Sequence, residues 1–480
     1  MVNDKALKMR KLPTGITGLD EILLGGLLPG SCCMLRGGPG TGKTTIGVQF
    51  LAEGAKSGER VLFITLEENE AQIRKTAENL GLDVSGVSFL DLSPSSVFFT
   101  EAQSYDIFST AEVEKEPITQ RIVEEVGRIR PKRVFVDPLT QFRYLSADRF
   151  QFHRQVLSFL RFLTDSGATV MLTSESSPEA PDSDVQFLVH AVVQLESERG
   201  ARSLSVIKYR NSDFFPGSHA YRLSERGAVV YPRLDPKKYG RPFETKVLST
   251  GIREIDNLLG GGIESGTVSM ISGPPGVGKT TLGMQMAAAG AARGEKTVVF
   301  SFEEKPEMIL ARCDSVNIRA RYRADALSVH SIEPVSYMAE QFALLVRNMV
   351  EKEGVKLVML DSARGYGIAM KNENPDTHLY MLCKYLRNMG VTVLLTVELN
   401  NITGNFKVTE NGISYIADNI VFLRYLEMRG EMKKAIGVLK KRRSDFEKTL
   451  REFEITSGGL KIGEPLTKLR GILRGEPQWV

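Results

Sequence analysis

Several things are scarce in this 480-residue chain, and each scarcity excludes a class of protein. Cysteine occurs four times: Cys32 and Cys33 are adjacent, Cys313 and Cys383 are isolated, and no CxxC pair exists. A disulfide framework and a zinc ribbon are therefore excluded, and a reducing compartment is expected. The five histidines, His153, His190, His219, His330 and His378, have no metal-ligand spacing. No apolar run approaches the roughly 18 residues needed to span a bilayer. The opening MVNDKALKMRKLPTG has no apolar centre of the kind a secretory leader needs. A soluble, cytoplasmic protein without a membrane partner is expected. One-sided charge is absent too. With 62 basic against 58 acidic residues the net charge is +4, too little to argue for nucleic acid or an anionic lipid surface.

What is present is a repeat. Residues 14–30 read TGITGLDEILLGGLLPG and residues 250–266 read TGIREIDNLLGGGIESG. Asp20 and Asp256, Gly37 and Gly273, Lys43 and Lys279, and Glu67 and Glu303 are all 236 residues apart. Asp137 and Asp361 are 224 apart and Lys208 and Lys440 are 232 apart, as loop edits in a duplicated domain would produce. The period is too long for a solenoid, so each copy should be a whole domain, 1–236 and 237–480. The polar stretch YPRLDPKKYGRPFET, residues 231–245, reads as the linker. Within each copy, short apolar runs alternate with helical patterns. SCCMLRG, VLFITL, RVFVD and ATVMLTS are matched by VSMISG, TVVFSF, KLVMLD and VTVLLTV. Runs buried on both faces and separated by helices predict a mainly parallel sheet flanked by helices, an α/β fold built twice. Residues 187–230 and 413–460 read as strands with fewer helices between them.

GGPGTGKT at 37–44 and GPPGVGKT at 273–280 both satisfy G-x-x-x-x-G-K-[ST], and both follow an apolar strand. Glycines let successive N–H groups curl around phosphate oxygens, and the helix that follows points its positive end at them. The phosphate-binding set is then Gly38, Gly40, Thr41, Gly42, Lys43, Thr44 and Thr45, repeated as Pro275, Gly276, Val277, Gly278, Lys279, Thr280 and Thr281. Lys43 and Lys279 should reach the β- and γ-phosphates, and Thr44 and Thr280 should ligate Mg2+. The loops by themselves do not distinguish adenine from guanine.

Asp137 and Asp361 close apolar strands, the position from which an aspartate completes a magnesium site, although an acid there also caps helices. Glu67-Glu68 and Glu303-Glu304 end the second strand of each copy. A carboxylate there can orient an attacking water or accept its proton; an acid pair can equally be a solvated strand end. Lys208 and Arg210 match Lys440 and Arg442. Spaced i, i+2 on a strand they share one face and suit charge-stabilising fingers, or else a basic edge strand that resists aggregation.

Together these motifs resemble the KaiC family, double-domain members of the RecA-like ATPase superfamily. The likeness covers almost the whole chain and is strongest in ISYIADNIVFLRYLEMRGEMKKAIGVLKKRRSDFEKTLREFEI, residues 413–455. It implies two tandem RecA-like P-loop domains, ATP and Mg2+ as ligands, and a hexameric double ring with nucleotide between subunits. It implies a slow ATPase in the first domain and an autokinase in the second. Glu67 and Glu303 become catalytic, with Glu68 and Glu304 supporting them. Lys208, Arg210, Lys440 and Arg442 become groups that touch a neighbour's nucleotide. The family's Ser-Thr phosphorylation pair falls on Ser414 and Tyr415. Ser414 is thus the expected phosphorylation site, with Thr409 a weaker one, because a tyrosine hydroxyl lies several ångströms further from its backbone. The chain stops after LRGILRGEPQWV, where clock members continue into a tail that binds the KaiA activator, so KaiA binding is not expected. A KaiB-like partner of the first domain is compatible with the likeness, but no local motif carries it.

Two other classes share this chemistry. A RadA- or RecA-like DNA-processing ATPase draws on the basic cluster Lys433, Lys434, Lys440, Lys441, Arg442 and Arg443; the modest net charge and the missing zinc module of the Sms-type proteins argue against it. A signalling scaffold that hydrolyses ATP without autokinase activity draws on the tyrosine at 415.

Overall fold

The computed structural model describes residues 10–94, 115–143, 148–175, 182–198, 200–319, 325–333, 337–370, 374–399, 413–428, 430–470 and 478–479. The chain forms two compact units, Met1–Arg233 and Leu234–Val480. In the first, the strands are β1 (Cys32–Gly37), β2 (Val61–Thr65), β3 (Val87–Asp91), β4 (Arg133–Asp137), β5 (Thr169–Ser174), β6 (Ala191–Glu198), β7 (Ala201–Tyr209), β8 (Ser218–Ser224) and β9 (Gly227–Tyr231). They form one nine-stranded sheet in the order β3-β2-β4-β5-β1-β6-β7-β8-β9. Pairing is parallel from β3 to β6 and antiparallel from β6 to β9.

The second unit repeats this plan. Its strands are β10 (Val268–Gly273), β11 (Thr297–Ser301), β12 (Leu327–Ser331), β13 (Leu357–Asp361), β14 (Thr392–Glu398), β15 (Asn419–Met428), β16 (Glu431–Lys441), β17 (Arg451–Thr456) and β18 (Gly459–Pro465). Their order is β12-β11-β13-β14-β10-β15-β16-β17-β18. The two mainly parallel, helix-flanked sheets are the tandem RecA-like architecture.

The central strands are buried on both faces because helices cover both, which is why their sequences are continuous apolar runs rather than alternations. Side chains alternate between two cores. In the first unit Cys33, Leu35, Phe63, Phe135 and Met171 face one core, which includes Phe50 of helix α1 (Lys43–Lys56). Cys32, Met34, Leu62, Val134 and Leu172 face the other, beneath helices α2 (Lys115–Ile129) and α3 (Arg149–Asp165). Helix α1 lies so close to the sheet that a Cβ on Gly47 would sit 2.0 Å from the Phe135 ring. Alanine normally improves a helix interior by up to about 1 kcal/mol over glycine. Here overpacking dominates, and Gly47→Ala is expected to destabilise the first unit by about 2 kcal/mol in a denaturant melt.

Three features depart from the sequence reading. Each sheet has a further parallel strand at its edge, β3 or β12, whose short and partly polar sequence gave no apolar run. The proline-containing stretch 231–245 is docked rather than free. Tyr239 packs edge-on against Tyr385 at 5.3 Å, and Arg241 donates from Nε to the Met389 carbonyl at 2.7 Å. The repeated TG…D opening is structural: Asp20 Oδ1 accepts from Thr14 N and Oγ1, both at 2.7 Å, and Asp256 Oδ1 does the same for Thr250 at 2.7 and 2.6 Å.

Candidate nucleotide-binding sites

Each phosphate loop spans the turn from the central strand to the helix after it: β1 to α1, and β10 to helix α4 (Lys279–Ala292). The turn needs left-handed backbone at Gly40 (φ 71°) and Gly42 (φ 85°), and again at Gly276 (φ 71°) and Gly278 (φ 120°). Only glycine adopts these angles without strain. A Cβ on Gly40 would meet nothing within 4 Å, so the glycine serves conformation rather than space. Gly37 and Gly273 differ: a Cβ there would lie 2.7 Å from the Leu195 and Leu423 carbonyl oxygens. Both helices start without a side-chain cap, which leaves the first-turn N–H groups directed at the loop.

The lysines and threonines cluster as expected. Lys43 Nζ donates to the carbonyls of Gly37 (2.8 Å) and Gly38 (3.1 Å) and lies 3.6 Å from Glu175. Lys279 Nζ donates to the Pro274 carbonyl at 2.9 Å. Burial pushes the Lys279 amine below its ordinary range, opposed by Glu398, Asp361 and Glu303. Thr44 Oγ1 donates to Asp137 Oδ2 at 2.6 Å, bringing together residues 93 apart in sequence. Thr280 hydrogen-bonds Asp361 in the same way. Burial raises both aspartates above the usual carboxylate range; the threonine hydrogen bonds pull against it. A buried carboxylate beside a threonine hydroxyl is an oxygen-only donor set. It suits Mg2+, which is typically held by one or two protein oxygens together with waters and substrate phosphates. Among the described residues no group of three or more His, Cys, Asp or Glu side chains is placed to hold a metal.

The glutamate pairs lie just beyond β2 and β11, and the strand register sets Thr65 beside Asp137 and Ser301 beside Asp361. Partial burial, then Asp137 and Glu67, raises the Glu68 carboxyl. Glu303 Oε1 accepts from Ser362 Oγ at 2.7 Å, whereas Glu304 is turned aside into an ion pair with Arg312 at 2.6 Å. The two members of this pair are therefore not equivalent, and Glu303 is the one held beside Asp361.

The basic pairs sit elsewhere. Lys208 pairs with Val192, which flanks Met34, three residues before Gly37. It is thus roughly 10 Å back along the strand from the phosphate loop of its own unit. Its Nζ points further away still, to the carbonyls of Gln186 and Val189, both at 2.8 Å, while Arg210 donates to the Phe187 carbonyl at 3.1 Å. In the second unit Lys440 pairs with Ile420 beside Met270, donating to the Ser414 carbonyl at 3.3 Å; Arg442 donates to that of Tyr415 at 3.1 Å. Arg210 and Arg442 lie one residue beyond β7 and β16, a bulge precedes each lysine, and within each pair both side chains reach the same short segment, 186–189 or 414–415. β7 and β16 are inner strands of their sheets, but the pairing on their far side covers Ser203–Ser205 and Ala435–Ile436 and stops short of the basic pairs.

The basic cluster at 433–443 is largely occupied within its own unit. Lys433 pairs with Glu431 and Glu452, Lys441 with Glu264, Arg442 with Asp418, and Arg443 donates to Thr245. Ser414 and Tyr415 lie in a short 3-10 turn, Ser414 half-buried and Tyr415 exposed against Tyr380. Thr409 lies outside the described residues.

The sequence reading missed several members of these sites. Thr173 hydrogen-bonds the other oxygen of Asp137, and Thr396 hydrogen-bonds Asp361 Oδ1. They stand 36 and 35 residues beyond those aspartates, in TVMLTSE and TVLLTVE, and this near-constant spacing was the available signal. The acid at the end of each of these strands, Glu175 just after β5 and Glu398 closing β14, faces the loop lysine.

Among the described residues no helix is long and apolar enough to cross a membrane. Two stretches, residues 12–235 and 248–467, match the family model described as "ATPase: KaiC". The chain is 28% identical to "Circadian clock protein KaiC3" of Synechocystis sp., over 100% of this chain and 97% of that protein. It is 27% identical to "Circadian clock oscillator protein KaiC" of Picosynechococcus sp. (99% and 94% covered) and to its namesake in Synechococcus elongatus (99% and 93%).

Proposed function

The chain belongs to the KaiC family of ATPases, and from that premise we propose an ATP-hydrolysing timing or signalling protein that also phosphorylates itself on Ser414. The observation that carries the reading is one Lys–Thr–Asp constellation built twice, with a glutamate pair beside each aspartate. Loop N–H groups with Lys43 or Lys279 bind the phosphates of ATP. Thr44 with Asp137, and Thr280 with Asp361, are the residues that would hold Mg2+. When bound, that ion would neutralise charge developing on the phosphates. Glu67 and Glu303 orient the attacking water and accept its proton, with Glu68 and Glu304 supporting them.

The basic pairs face away from their own loops. They act on a nucleotide bound by an adjacent subunit, in a ring we take to be hexameric. Ser414 lies at that same end of the sheet, so its phosphate comes from the neighbour's ATP. The serine oxygen bonds to the γ-phosphorus, the bond to the β-phosphate oxygen breaks, ADP leaves, and the serine proton passes to the neighbour's glutamate. Incubation with ATP labelled at the γ-phosphate should release labelled phosphate and also leave label on the protein. Ser414→Ala should remove most of the protein-bound label while hydrolysis continues. Hydrolysis without any bound label would instead support the second reading, an ATPase scaffold lacking autokinase activity, which Tyr415 favours.

A further inference from the structure

The first unit connects its own phosphate loop to its own basic pair through side-chain hydrogen bonds joined by short backbone steps. Lys43 Nζ donates to the Gly37 carbonyl at 2.8 Å, and the residue before Gly37 is Arg36. Arg36 Nε donates to both carboxylate oxygens of Asp182, at 2.8 and 3.0 Å, and Nη1 to Gln194 Oε1 at 3.0 Å. Asp182 is fully buried and also accepts from Ser174 Oγ at 3.0 Å and Gln186 Nε2 at 3.2 Å. It stands immediately before the short helix Ser183–Leu188; Lys208 and Arg210 hold the carbonyls of Gln186 and Phe187 within that helix and of Val189 just after it. One carboxylate therefore joins the strand leading into the loop, the end of β5, and the segment on which both basic side chains rest.

The second unit differs in sequence at this point, and its counterpart of the Asp182 segment lies outside the described residues. Ser272 and Phe422 occupy the paired positions where the first unit has Arg36 and Gln194. A buried aspartate with four donor contacts is costly to strand if one donor is lost, and the second unit folds without the arginine. The pair is thus not required by the architecture itself.

We infer that Arg36 and Asp182 are positioning residues that set Lys208 and Arg210 of the first unit according to the state of the subunit's own phosphate loop. This rests on the reading that Lys208 and Arg210 act on a neighbour's nucleotide. Spatial continuity alone does not establish coupling; a thermodynamic cycle does.

The test uses the full-length assembled protein carrying Lys279→Ala, so that turnover reports the first unit. Lys208→Ala/Arg210→Ala should lower kcat by tenfold or more, as loss of charge-stabilising fingers does. Arg36→Ser/Gln194→Phe, which imports the second unit's residues, should lower kcat roughly fivefold with little change in KM. In the Lys208→Ala/Arg210→Ala background the same pair of changes should have almost no further effect. Asp182→Asn, which preserves volume, runs the same cycle and decides the matter if the first variant does not assemble. Multiplicative losses in the cycle would overturn the inference and leave a purely structural ion pair. If Lys208→Ala/Arg210→Ala itself leaves kcat unchanged, the finger reading fails and the relay with it. The two failures are thereby distinguishable.

Discussion

Lys43→Ala lowers ATP turnover of the first unit by at least about 100-fold, equivalent to roughly 2.7 kcal/mol of transition-state stabilisation, and leaves the second unit binding nucleotide. Lys279→Ala does the converse. The expectation follows from placement. Each ammonium lies within its own loop, donating to the Gly37, Gly38 or Pro274 carbonyl, next to the threonine–aspartate pair. A short uncharged side chain cannot follow the phosphates as negative charge builds on them. Because each lysine contacts its own loop, the two sites should fail separately. Titration with a fluorescent ATP analogue should show two sites per chain in the unmodified protein, one in either variant and none in the double variant. A Lys43→Ala chain that still fills two sites would refute the assignment.

The second large effect concerns stability. Arg133 is 1% exposed, pairs with Glu59 at 2.5 Å, and donates to the carbonyls of Pro13 (2.7 Å) and Phe50 (3.1 Å). Arg133→Ala removes the packing and strands Glu59 and two carbonyls, which is expected to cost about 3–5 kcal/mol. For a unit of this size that lowers Tm by about 10 °C. The second unit solves the same problem differently. Leu357 replaces the buried arginine, and Arg293, just after helix α4, pairs with Glu295 at 2.9 Å and donates to the Ser249 carbonyl at 2.6 Å. Ser249 and Glu295 are the 236-offset partners of Pro13 and Glu59. Ser57→Arg/Arg133→Leu transplants that arrangement and should recover most of the lost Tm in calorimetry. No recovery would mean that burial of the arginine, rather than its contacts, sets the stability.

Much of the site was legible because its chemistry depends on local spacing. A phosphate loop needs glycine at left-handed positions and a lysine opening the helix that follows, so Gly40, Gly42 and Lys43 had to lie within a few residues of one another. Thr173 and Glu304 show the limit of that logic. Thr173 meets Asp137 only because β5 lies beside β4. Glu304 differs from Glu303 only because Arg312 of the following helix reaches back to it. Edge strands β3 and β12 were invisible for a related reason: with a neighbour on one side only, they need less continuous apolar sequence.

The sequence by itself determined that two copies of one nucleotide-binding domain exist, because duplicated motifs in register survive loop edits and dictate the same backbone twice. Tertiary structure alone decided direction. Strand register sets Lys208 and Lys440 back from the loops of their own units, turned toward residues 186–189 and 414. It also decided that the first unit joins loop to basic pair through Arg36 and Asp182. A hydrogen bond between residues 146 apart depends on which strands lie side by side, and that order emerges only from the folded sheet.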